Sequence, residues 1–422
     1  MELTLQLHFS QSSVGWIDVA RAYFRNEQEV SIDYNLEYVA NYLERKDMTA
    51  LSLQFPVQIT PYRGKVPGFL IDLIPQGPAL RRILQRHQIA RDTDYYSILA
   101  QVPLASPGNI RIKEAWENIE QERLSYCHEG FKRFDIIEHR EDFIEYMEEH
   151  GAPIGGTSGV AGGAPKFLLR QDFKDKFHAD GCLDDDHTKQ AYLVKFPFTD
   201  SDNSKLLVQT EKAYYDLLRQ SSLKCGDSIE IENDTLFIKR FDRLRRSDKR
   251  LHYLGLESFY SAHGIANFGS PLTHEDNLRL IQKYSSAFEQ DILEYLLRDL
   301  VNELLSNVDN HGRNSSFIKD ENSITLSPVY DVTAMKFFKG DFITRLTRWS
   351  HSECQALRTR LQWIAKEYKI SHENLYEAFR SFKNNFLADV TDRLQACDVP
   401  EAIIKLSKND RLRILDDVKF LG

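Results

Sequence analysis

NVDNHGRNSSF, residues 307–317, contains the pattern on which the interpretation of this chain depends. It follows a long helix predicted over DILEYLLRDLVNELLSN, residues 291–307, whose leucines fall on one broad apolar face. Asp309 and Asn314 stand five residues apart in it, so that one turn of loop lets both side chains face one pocket. An Asx-rich turn that caps the helix explains the same letters equally well.

Protein kinases use this spacing of Asp and Asn in their catalytic loop. The Asp accepts the proton of the substrate hydroxyl, and the Asn supplies an amide oxygen to magnesium. A second carboxylate is expected, because magnesium is a hard cation that takes oxygen ligands. The candidate is Asp331, seventeen residues after Asn314 in the predicted β-hairpin arm SITLSPVYDV, residues 323–332. A simple turn aspartate is the alternative.

Lys195 lies in YLVKFPF, residues 192–198, a predicted strand in which apolar residues flank it. In kinases such a lysine holds the α- and β-phosphates of the nucleotide and pairs with a helix glutamate. Glu211 is the candidate partner, in the helix predicted over KLLVQTEKAYYDLLRQ, residues 205–220. An exposed edge position for Lys195 and a solvated helix face for Glu211 are the alternatives.

A glycine-rich segment, GAPIGGTSGVAGGAPK, occupies residues 151–166 and has six glycines within thirteen residues. Glycines permit the close approach and positive φ that a phosphate-binding nest of backbone N–H groups requires. The segment matches neither GxxxxGK[ST] nor a clean GxGxxG, so a flexible surface loop is an equally good explanation. Its position before the predicted strands KFLLR and YLVKFPF favours phosphate contact.

Composition limits the classes of partner. With 42% hydrophobic and 28% charged residues, the 422-residue chain has the character of a globular protein. Its net charge of −9 argues against a surface built chiefly to bind nucleic acid, although the basic run RFDRLRRSDKR, residues 240–250, is a local candidate for contact with DNA or an acidic protein. Five cysteines without CxxC pairing favour a reducing, cytoplasmic location, and we expect no membrane segment.

The order of predicted elements divides the chain into three parts of an α+β fold. Residues 1–125 are predicted to form a region of short strands and helices, with a strand over LTLQLHF and a helix over IDYNLEYVANYLERK, residues 32–46. Residues 126–250 carry the glycine-rich segment and then strand, strand, helix and strand. Residues 251–422 are dominated by predicted helices.

Five motifs occur in the order and form seen in HipA-like kinases: GTSGVAGGAPKFLL, YLVKFPF, IKRFDR, NVDNHGRNSSF and SPVYDV. Upstream, PGFLIDLIPQGPALRRIL resembles the FxxLLP-type segment that ends the amino-terminal domain of the family. The chain therefore resembles the HipA-like serine/threonine-protein kinase toxin family, most strongly over roughly residues 50–335. The resemblance implies a kinase-like, two-lobed fold with a small α/β amino-terminal domain and a mostly helical carboxy-terminal lobe.

The resemblance also implies a role for each matching residue. Asp309 would be the catalytic base, Asn314 and Asp331 would bind Mg²⁺, and Lys195, with Glu211, would hold the phosphates of ATP. The remaining nucleotide contacts that it implies are Gly159, Val160, Ala161, Gly162 and Gly163 in the glycine-rich segment, with Lys239, Arg240 and Phe241 at a hinge beside adenine. Ser158, or its neighbour Thr157, would be autophosphorylated. We assign His311 a structural hydrogen-bonding role at the nucleotide site, because phosphoryl transfer demands little base strength.

The expected function is ATP- and Mg²⁺-dependent phosphorylation of a cellular protein, with growth arrest as the result. Aminoacyl-tRNA synthetases are candidate substrates, since members of the family modify them. A HipB-like, DNA-binding antitoxin is the expected partner, and DNA contact is expected only through it or through the basic run. Two alternatives stay open: a catalytically weak kinase-fold module that acts as a transcriptional co-repressor, and a small-molecule kinase.

Overall fold

The computed structural model describes residues 1–9, 15–74, 77–101, 106–118, 130–150, 164–267, 269–337 and 345–422. The architecture is α+β, as predicted, with two five-stranded sheets ahead of a mostly helical half. Among these residues, no helix combines the length and the apolar character needed to cross a bilayer. The boundaries expected at residues 125 and 250 stay predictions.

An antiparallel sheet organises the amino-terminal unit, a name used here for the described residues of 1–118. Its strands are β1 (Glu2–His8), β2 (Trp16–Phe24), β3 (Glu29–Tyr34), β4 (Tyr62–Lys65) and β5 (Ile110–Ile112), in the spatial order β4–β3–β2–β1–β5. Its helices are α1 (Leu36–Tyr42), α2 (Gly68–Ile71), α3 (Gly77–Arg86) and α4 (Tyr95–Gln101), and residues 113–118 are also helical. The buried faces of these elements share one apolar core.

The helix predicted over residues 32–46 was wrong at both ends. Ile32 and Tyr34 belong to β3, where alternate residues are buried, and the helix covers only Leu36–Tyr42. Alternate burial is typical of a strand with one face on the core. The helical spacing of apolar residues therefore applies only after Tyr34, and the residues before it continue the strand.

The second sheet follows the glycine-rich segment. Its strands are β6 (Lys166–Asp172), β7 (Phe177–Ala179), β8 (Thr188–Lys195), β9 (Glu230–Glu232) and β10 (Thr235–Lys239), in the order β7–β6–β8–β10–β9. Helices α5 (Arg133–Glu138) and α6 (Arg140–His150) precede it, and α7 (Asp202–Leu218) lies between β8 and β9. The predicted strands and helix are confirmed in their order, and β7 and β9 extend the sheet.

The rest of the chain is mostly helical. Its strands are β11 (Arg243–Arg245), β12 (Leu251–Tyr253), β13 (Gly255–Ser258), β14 (Leu272–Thr273), β15 (Ser316–Lys319), β16 (Ile324–Leu326) and β17 (Thr347–Arg348). Its helices are α8 (Phe259–Ala262), α9 (His274–Tyr284), α10 (Phe288–Leu304), α11 (Leu357–Tyr368), α12 (His372–Phe382), α13 (Val390–Ala396), α14 (Glu401–Leu406) and α15 (Lys408–Asp417). Short 3-10 turns occur at Asp185–His187, Met335–Phe337, Ser352–Cys354 and Lys419–Leu421, and a π-helical turn occurs at Lys383–Leu387.

Helix α7 is the element that joins the second sheet to the helical half. Its buried residues Tyr214 and Leu217 belong to the same apolar core as Leu300 and Leu304 of α10. In addition, the hydroxyl of Tyr214 donates to the carbonyl oxygen of Leu305 at 3.1 Å, directly after α10. One polar side chain of α7, that of Glu211, is buried and lines the cleft described below.

Candidate active site

A cleft lies between the second sheet and the helical half, and the amino-terminal unit closes part of it. Apolar side chains such as Leu168, Ile238 and Val332 line it together with charged groups. The predicted residues among these lining residues are Lys195, Glu211, Lys239, Arg240, Phe241 and Asp331. A mostly apolar cleft with a few convergent polar groups is the usual form of a small-molecule site.

Lys195 bridges two buried carboxylates at the centre of the cleft. Its Nζ donates to Glu211 Oε2 at 2.6 Å and to Asp331 Oδ1 at 2.8 Å. Burial lowers the pKa of Lys195, but the two carboxylates outweigh burial and hold that pKa above its ordinary value. Burial opposes ionisation of Asp331 as well, yet the ammonium of Lys195 holds its pKa well below the usual range. Burial, aided by the charge of Asp331, raises the pKa of Glu211.

Asp331 follows β16 in an unusual backbone conformation. Its φ of 56° lies in the left-handed region, which aspartate tolerates better than most residues and which is common at functional sites. The preceding Tyr330 fixes this segment, because its hydroxyl donates to the carbonyl oxygen of Arg313 at 2.6 Å. The carboxylate of Asp331 is therefore held against the loop that carries Asp309 and Asn314.

The Asp309 loop, residues 307–315, begins just after α10. Asp309 is buried, and its backbone N–H donates to Asn307 Oδ1 at 3.2 Å. Burial and then the charge of Asp331 raise the pKa of the Asp309 carboxyl to about 7, against the lowering effect of Lys195. A carboxyl with a pKa near 7 takes up or releases a proton readily at neutral pH, as a general base must.

Asn314 has the orientation that a metal ligand needs. Its Nδ2 donates to the backbone oxygen of Asp309 at 2.7 Å, which fixes the amide plane. Its Oδ1 is buried and accepts no hydrogen bond from the residues that the structure describes. A buried amide oxygen without a donor is costly unless a cation completes it, so Asn314 and Asp331 fit a hard metal ion. Within the described residues, no three His, Cys, Asp or Glu side chains surround one position, so phosphate oxygens of a nucleotide would have to supply further ligands.

His311 is part of the same loop and is buried. Its Nδ1 accepts from the backbone N–H of Arg313 at 3.1 Å, and its Nε2 lies 3.5 Å from Asp309 Oδ1. Burial lowers the pKa of the imidazole to about 4. The ring is therefore neutral at physiological pH and carries its proton on Nε2, toward Asp309. These contacts support the structural role rather than that of a base.

Lys166 is a site residue that the sequence analysis did not single out. It begins β6, and the β6–β8 register places it directly opposite Lys195. Burial and then the charge of Lys195 lower the pKa of Lys166 to about 8. Both lysines line the cleft, and two cationic side chains on adjacent strands are chemically suited to contact an anion such as a phosphate. Lys166 is both the last residue of the glycine-rich segment and the first residue of the predicted strand KFLLR, and its place beside Lys195 could have been predicted only if the strand register had been known.

The three predicted hinge residues have different surroundings. All three line the cleft. The guanidinium of Arg240, however, is buried between Asp180 and Asp242, with Nη1–Oδ2 and Nη2–Oδ2 distances of 2.7 Å. This arginine is a structural element of the hinge, and the apolar ring of Phe241 is better suited to lie against a flat heterocycle.

The remaining predicted site residues lie outside the described part of the chain. They are the glycine-rich residues Gly159, Val160, Ala161, Gly162 and Gly163 and the two candidate modification sites, Thr157 and Ser158. Their assignments stay predictions.

Part of the basic run at residues 240–250 is buried, so fewer of its arginines can contact DNA or an acidic protein than the sequence indicated. Arg240 and Arg243 are buried and both pair with Asp242. Arg246 is half exposed and pairs with Asp320 at 3.0 Å. Contact with a polyanion would have to rely on the exposed part of the β11–β12 hairpin.

Two family models match this chain. The model described as HipA-like C-terminal domain matches residues 158–395, and the model described as HipA N-terminal domain matches residues 14–113. A Sinorhizobium fredii protein whose provisional name is kinase Y4mE is 31% identical over 103 residues, which are 23% of this chain and 24% of that protein. The matched stretch thus spans about a quarter of that relative.

The fold also matches a solved structure over its whole length. HipA in the Shewanella oneidensis MR-1 toxin–antitoxin complex of HipA, HipB and operator DNA superposes with a TM-score of 0.64 at 16% identity, covering 99% of this chain and 97% of that one. A Helicobacter pylori proinflammatory kinase, CtkA, covers 63% of this chain with a TM-score of 0.37, too low to carry an argument.

Proposed function

The chain belongs to the HipA family, and from this premise we propose that it is an ATP- and Mg²⁺-dependent serine/threonine protein kinase of the toxin type. The substrate would be a cellular protein, with an aminoacyl-tRNA synthetase as one candidate. Growth arrest would follow from modification of that substrate.

The observation that carries the proposal is the bridge of Lys195 to both Glu211 and Asp331, opposite Asp309 and Asn314. In protein kinases the lysine–glutamate pair and the metal-binding aspartate must both be in position before transfer occurs. A purely structural salt bridge would not explain two neighbouring features. They are the Asp309 carboxyl with a pKa of about 7 and the buried Asn314 Oδ1, which accepts no hydrogen bond from the described residues.

Each residue has a definite task in the proposed reaction. Lys195 and Lys166 bind and orient the phosphates, and the apolar cleft excludes water around them. Magnesium, when held by Asn314 and Asp331, would neutralise charge on the phosphates. Asp309 positions the serine or threonine hydroxyl and takes its proton as the bond from oxygen to the γ-phosphorus forms and the bond to the ADP oxygen breaks. Neutral His311 keeps the loop in shape.

A HipB-like, DNA-binding protein is the proposed partner. The similar HipA chain was solved together with HipB and operator DNA, and an antitoxin would restrain a growth-arresting kinase. The net charge of −9 and the buried arginines of the basic run favour DNA contact through this partner over direct contact by the chain alone.

The test is a phosphoproteome of cells after brief induced expression, compared with cells that express Asp309→Asn. We expect one or a few serine or threonine phosphopeptides on cellular proteins that depend on Asp309. Transfer of γ-phosphate only to small molecules would support the small-molecule kinase instead. If neither acceptor class is labelled and the purified chain does not consume ATP, the binding-module alternative is favoured.

A further inference from the structure

The amino-terminal unit contacts the Asp309 loop directly, and the contact includes the ion pair between Asp72 and Arg313. Asp72, which follows α2, lies with its Oδ1 3.1 Å from Arg313 Nε, and the carbonyl oxygen of Ile71 accepts from Arg313 Nη2 at 3.4 Å. The Arg313 side chain is only 2% exposed, and the two residues of the pair are 241 positions apart in the sequence. A charge buried this deeply depends on its partner.

Arg313 also makes backbone hydrogen bonds with two residues near the catalytic groups, His311 and Tyr330. Its backbone N–H donates to His311, and its carbonyl oxygen accepts from Tyr330, the neighbour of Asp331. It directly precedes Asn314. A shift of Arg313 would therefore move the amide of Asn314 and the imidazole that faces Asp309.

The second oxygen of Asp72 is fixed as well. Its Oδ2 accepts from Ser258 Oγ at 2.6 Å, at the end of β13. On the same side, α2 packs closely on α8: a Cβ on Gly68 would lie 2.8 Å from the Cα of Ser261. Gly312 of the Asp309 loop in turn has no room for a side chain, because a Cβ there would lie 2.4 Å from the ring of Tyr260. The backbone on both sides of the Asp72–Arg313 pair is therefore tightly packed, at Gly68 against α8 and at Gly312 against Tyr260.

The same unit also holds the hinge. The backbone N–H of Gly108 donates to Asp242 Oδ2 at 2.7 Å, and the carbonyl oxygen of Ser106 accepts from Arg240 Nη2 at 3.1 Å. Gly108 has a φ of +81°, and a Cβ at this position would lie 2.9 Å from the backbone nitrogen of Leu256. The unit therefore contacts both the hinge and the Asp309 loop.

From these contacts we propose that the amino-terminal unit is a brace for catalysis, in which Asp72 acts as a positioning residue that sets the Asp309 loop through Arg313. The inference rests on the proposed kinase function and adds to it a residue, Asp72, outside the part of the chain that carries the catalytic and phosphate-binding side chains. Asp72 lines the cleft, but Arg313 and Ser258 hold its carboxylate, so we assign it no contact with the reacting atoms. Its effect is on the placement of Asp309 and Asn314, and a small misplacement of such groups is costly in rate.

The test compares Asp72→Asn with a matched control, Asp18→Asn. Asp18 pairs with Lys113 at 2.9 Å within the same amino-terminal unit but has no contact with the Asp309 loop among its described partners. Magnesium-ATP turnover to ADP by the full chain gives kcat and KM. Hydrogen–deuterium exchange of the peptides that cover residues 307–315 reports on the loop itself.

We expect Asp72→Asn to lower kcat by about 10- to 100-fold, with KM for ATP changed less than about threefold, and to speed exchange in the loop. The double variant with Arg313→Met should lose no more than the worse of its two single variants, because both substitutions break one contact. Asp18→Asn should leave kcat and loop exchange unchanged.

Wild-type kcat and wild-type loop exchange in a folded Asp72→Asn protein would overturn the proposal, as would equal effects of Asp18→Asn. If Asp72→Asn does not fold, Arg313→Met, which breaks the same ion pair, takes its place under the same criteria. A wild-type chain that consumes no ATP would refute the kinase function instead, and in that case the exchange measurement alone decides whether Asp72 positions the loop.

Discussion

Lys195 on β8 and Asp331 after β16 form a buried ion pair across 136 residues of sequence, with 2.8 Å between Nζ and Oδ1. Glu211 approaches the same ammonium from the other side at 2.6 Å. One cation thus separates two carboxylates that would otherwise repel each other in a low-dielectric cleft.

Substitution of Lys195 should destabilise the chain in a pH-dependent way. Lys195→Met leaves Glu211 and Asp331 buried without their cation, so we expect the free energy of unfolding at pH 8 to fall by about 3–5 kcal/mol. Their folded-state pKa values would then lie above the unfolded values, so this loss should shrink as the pH falls toward 4. Denaturant unfolding at several pH values measures it.

Lys189→Met on the same strand is the control. Lys189 pairs with Asp175, and both side chains are about half exposed or more. Its loss should cost no more than about 1 kcal/mol at any pH in this range. Equal losses for the two variants would contradict the account of the Lys195 bridge.

Magnesium-ATP should raise the melting temperature, and Asn314 should be needed for the part that depends on magnesium. At a ligand concentration of 100 times Kd, binding to the folded state adds about 2.7 kcal/mol of stability. Asn314→Leu removes the Oδ1 that accepts no hydrogen bond within the described part of the chain, so magnesium should add less to the stabilisation by ATP in this variant than in wild type. Thermal-shift titration decides it, and an undiminished magnesium effect in Asn314→Leu would remove Asn314 as a metal ligand.

Asp309→Asn should abolish transfer and leave nucleotide binding largely intact. The carboxylate acts on the substrate hydroxyl, so its loss should cost about 4 kcal/mol of transition-state stabilisation, roughly a thousandfold in rate. Radiolabelled ATP measures transfer, and the thermal shift with magnesium-ATP measures binding. Retained transfer would show that another residue takes the proton, whereas lost binding would show that Asp309 belongs to the nucleotide site.

Activity should rise with pH until Asp309 is ionised. Because its pKa in the free chain is raised to about 7, kcat/KM should increase below that pH and level off above it. Stability should change in the opposite direction: a raised carboxyl pKa favours the folded state below the unfolded value near 3.8, and this contribution is lost as the pH rises through about 7. Asp309→Asn should therefore gain stability relative to wild type between pH 4 and pH 8, by a few kcal/mol.

Ser158, or its neighbour Thr157, should carry phosphate in protein made in cells, and this should switch the enzyme off. A phosphoryl group adds about −1.5 to −2 charges, which would repel ATP phosphates near Lys166 and Lys195. Intact mass and peptide mapping of wild type beside Asp309→Asn test it. Phosphate on the inactive variant would indicate a different kinase, and an unmodified segment in the active protein would contradict the prediction.

The site was predictable from sequence to the extent that it depends on short-range pattern. Asp309 and Asn314 lie in one loop, Lys195 lies in a strand with apolar neighbours, and Asp331 follows a predicted hairpin arm, so spacing made them candidates and the resemblance to HipA-like kinases supplied their roles. Lys166 was missed because its place beside Lys195 depends on strand register, which a sequence leaves open. Asp72 was missed because a pair 241 residues apart leaves no local pattern.

The link between Asp72 and Arg313 also bears on how the chain acquires its structure during synthesis. A ribosome makes the amino-terminal unit first, and domains generally fold as units in the order of their synthesis. We therefore expect the Asp309 loop to emerge onto a surface that already presents Asp72, so that the guanidinium of Arg313 can pair with its carboxylate early in folding. A circularly permuted chain that makes residues 164–422 first would have to hold the Arg313 charge unpaired until translation ended, and we expect it to fold more slowly and to aggregate more readily.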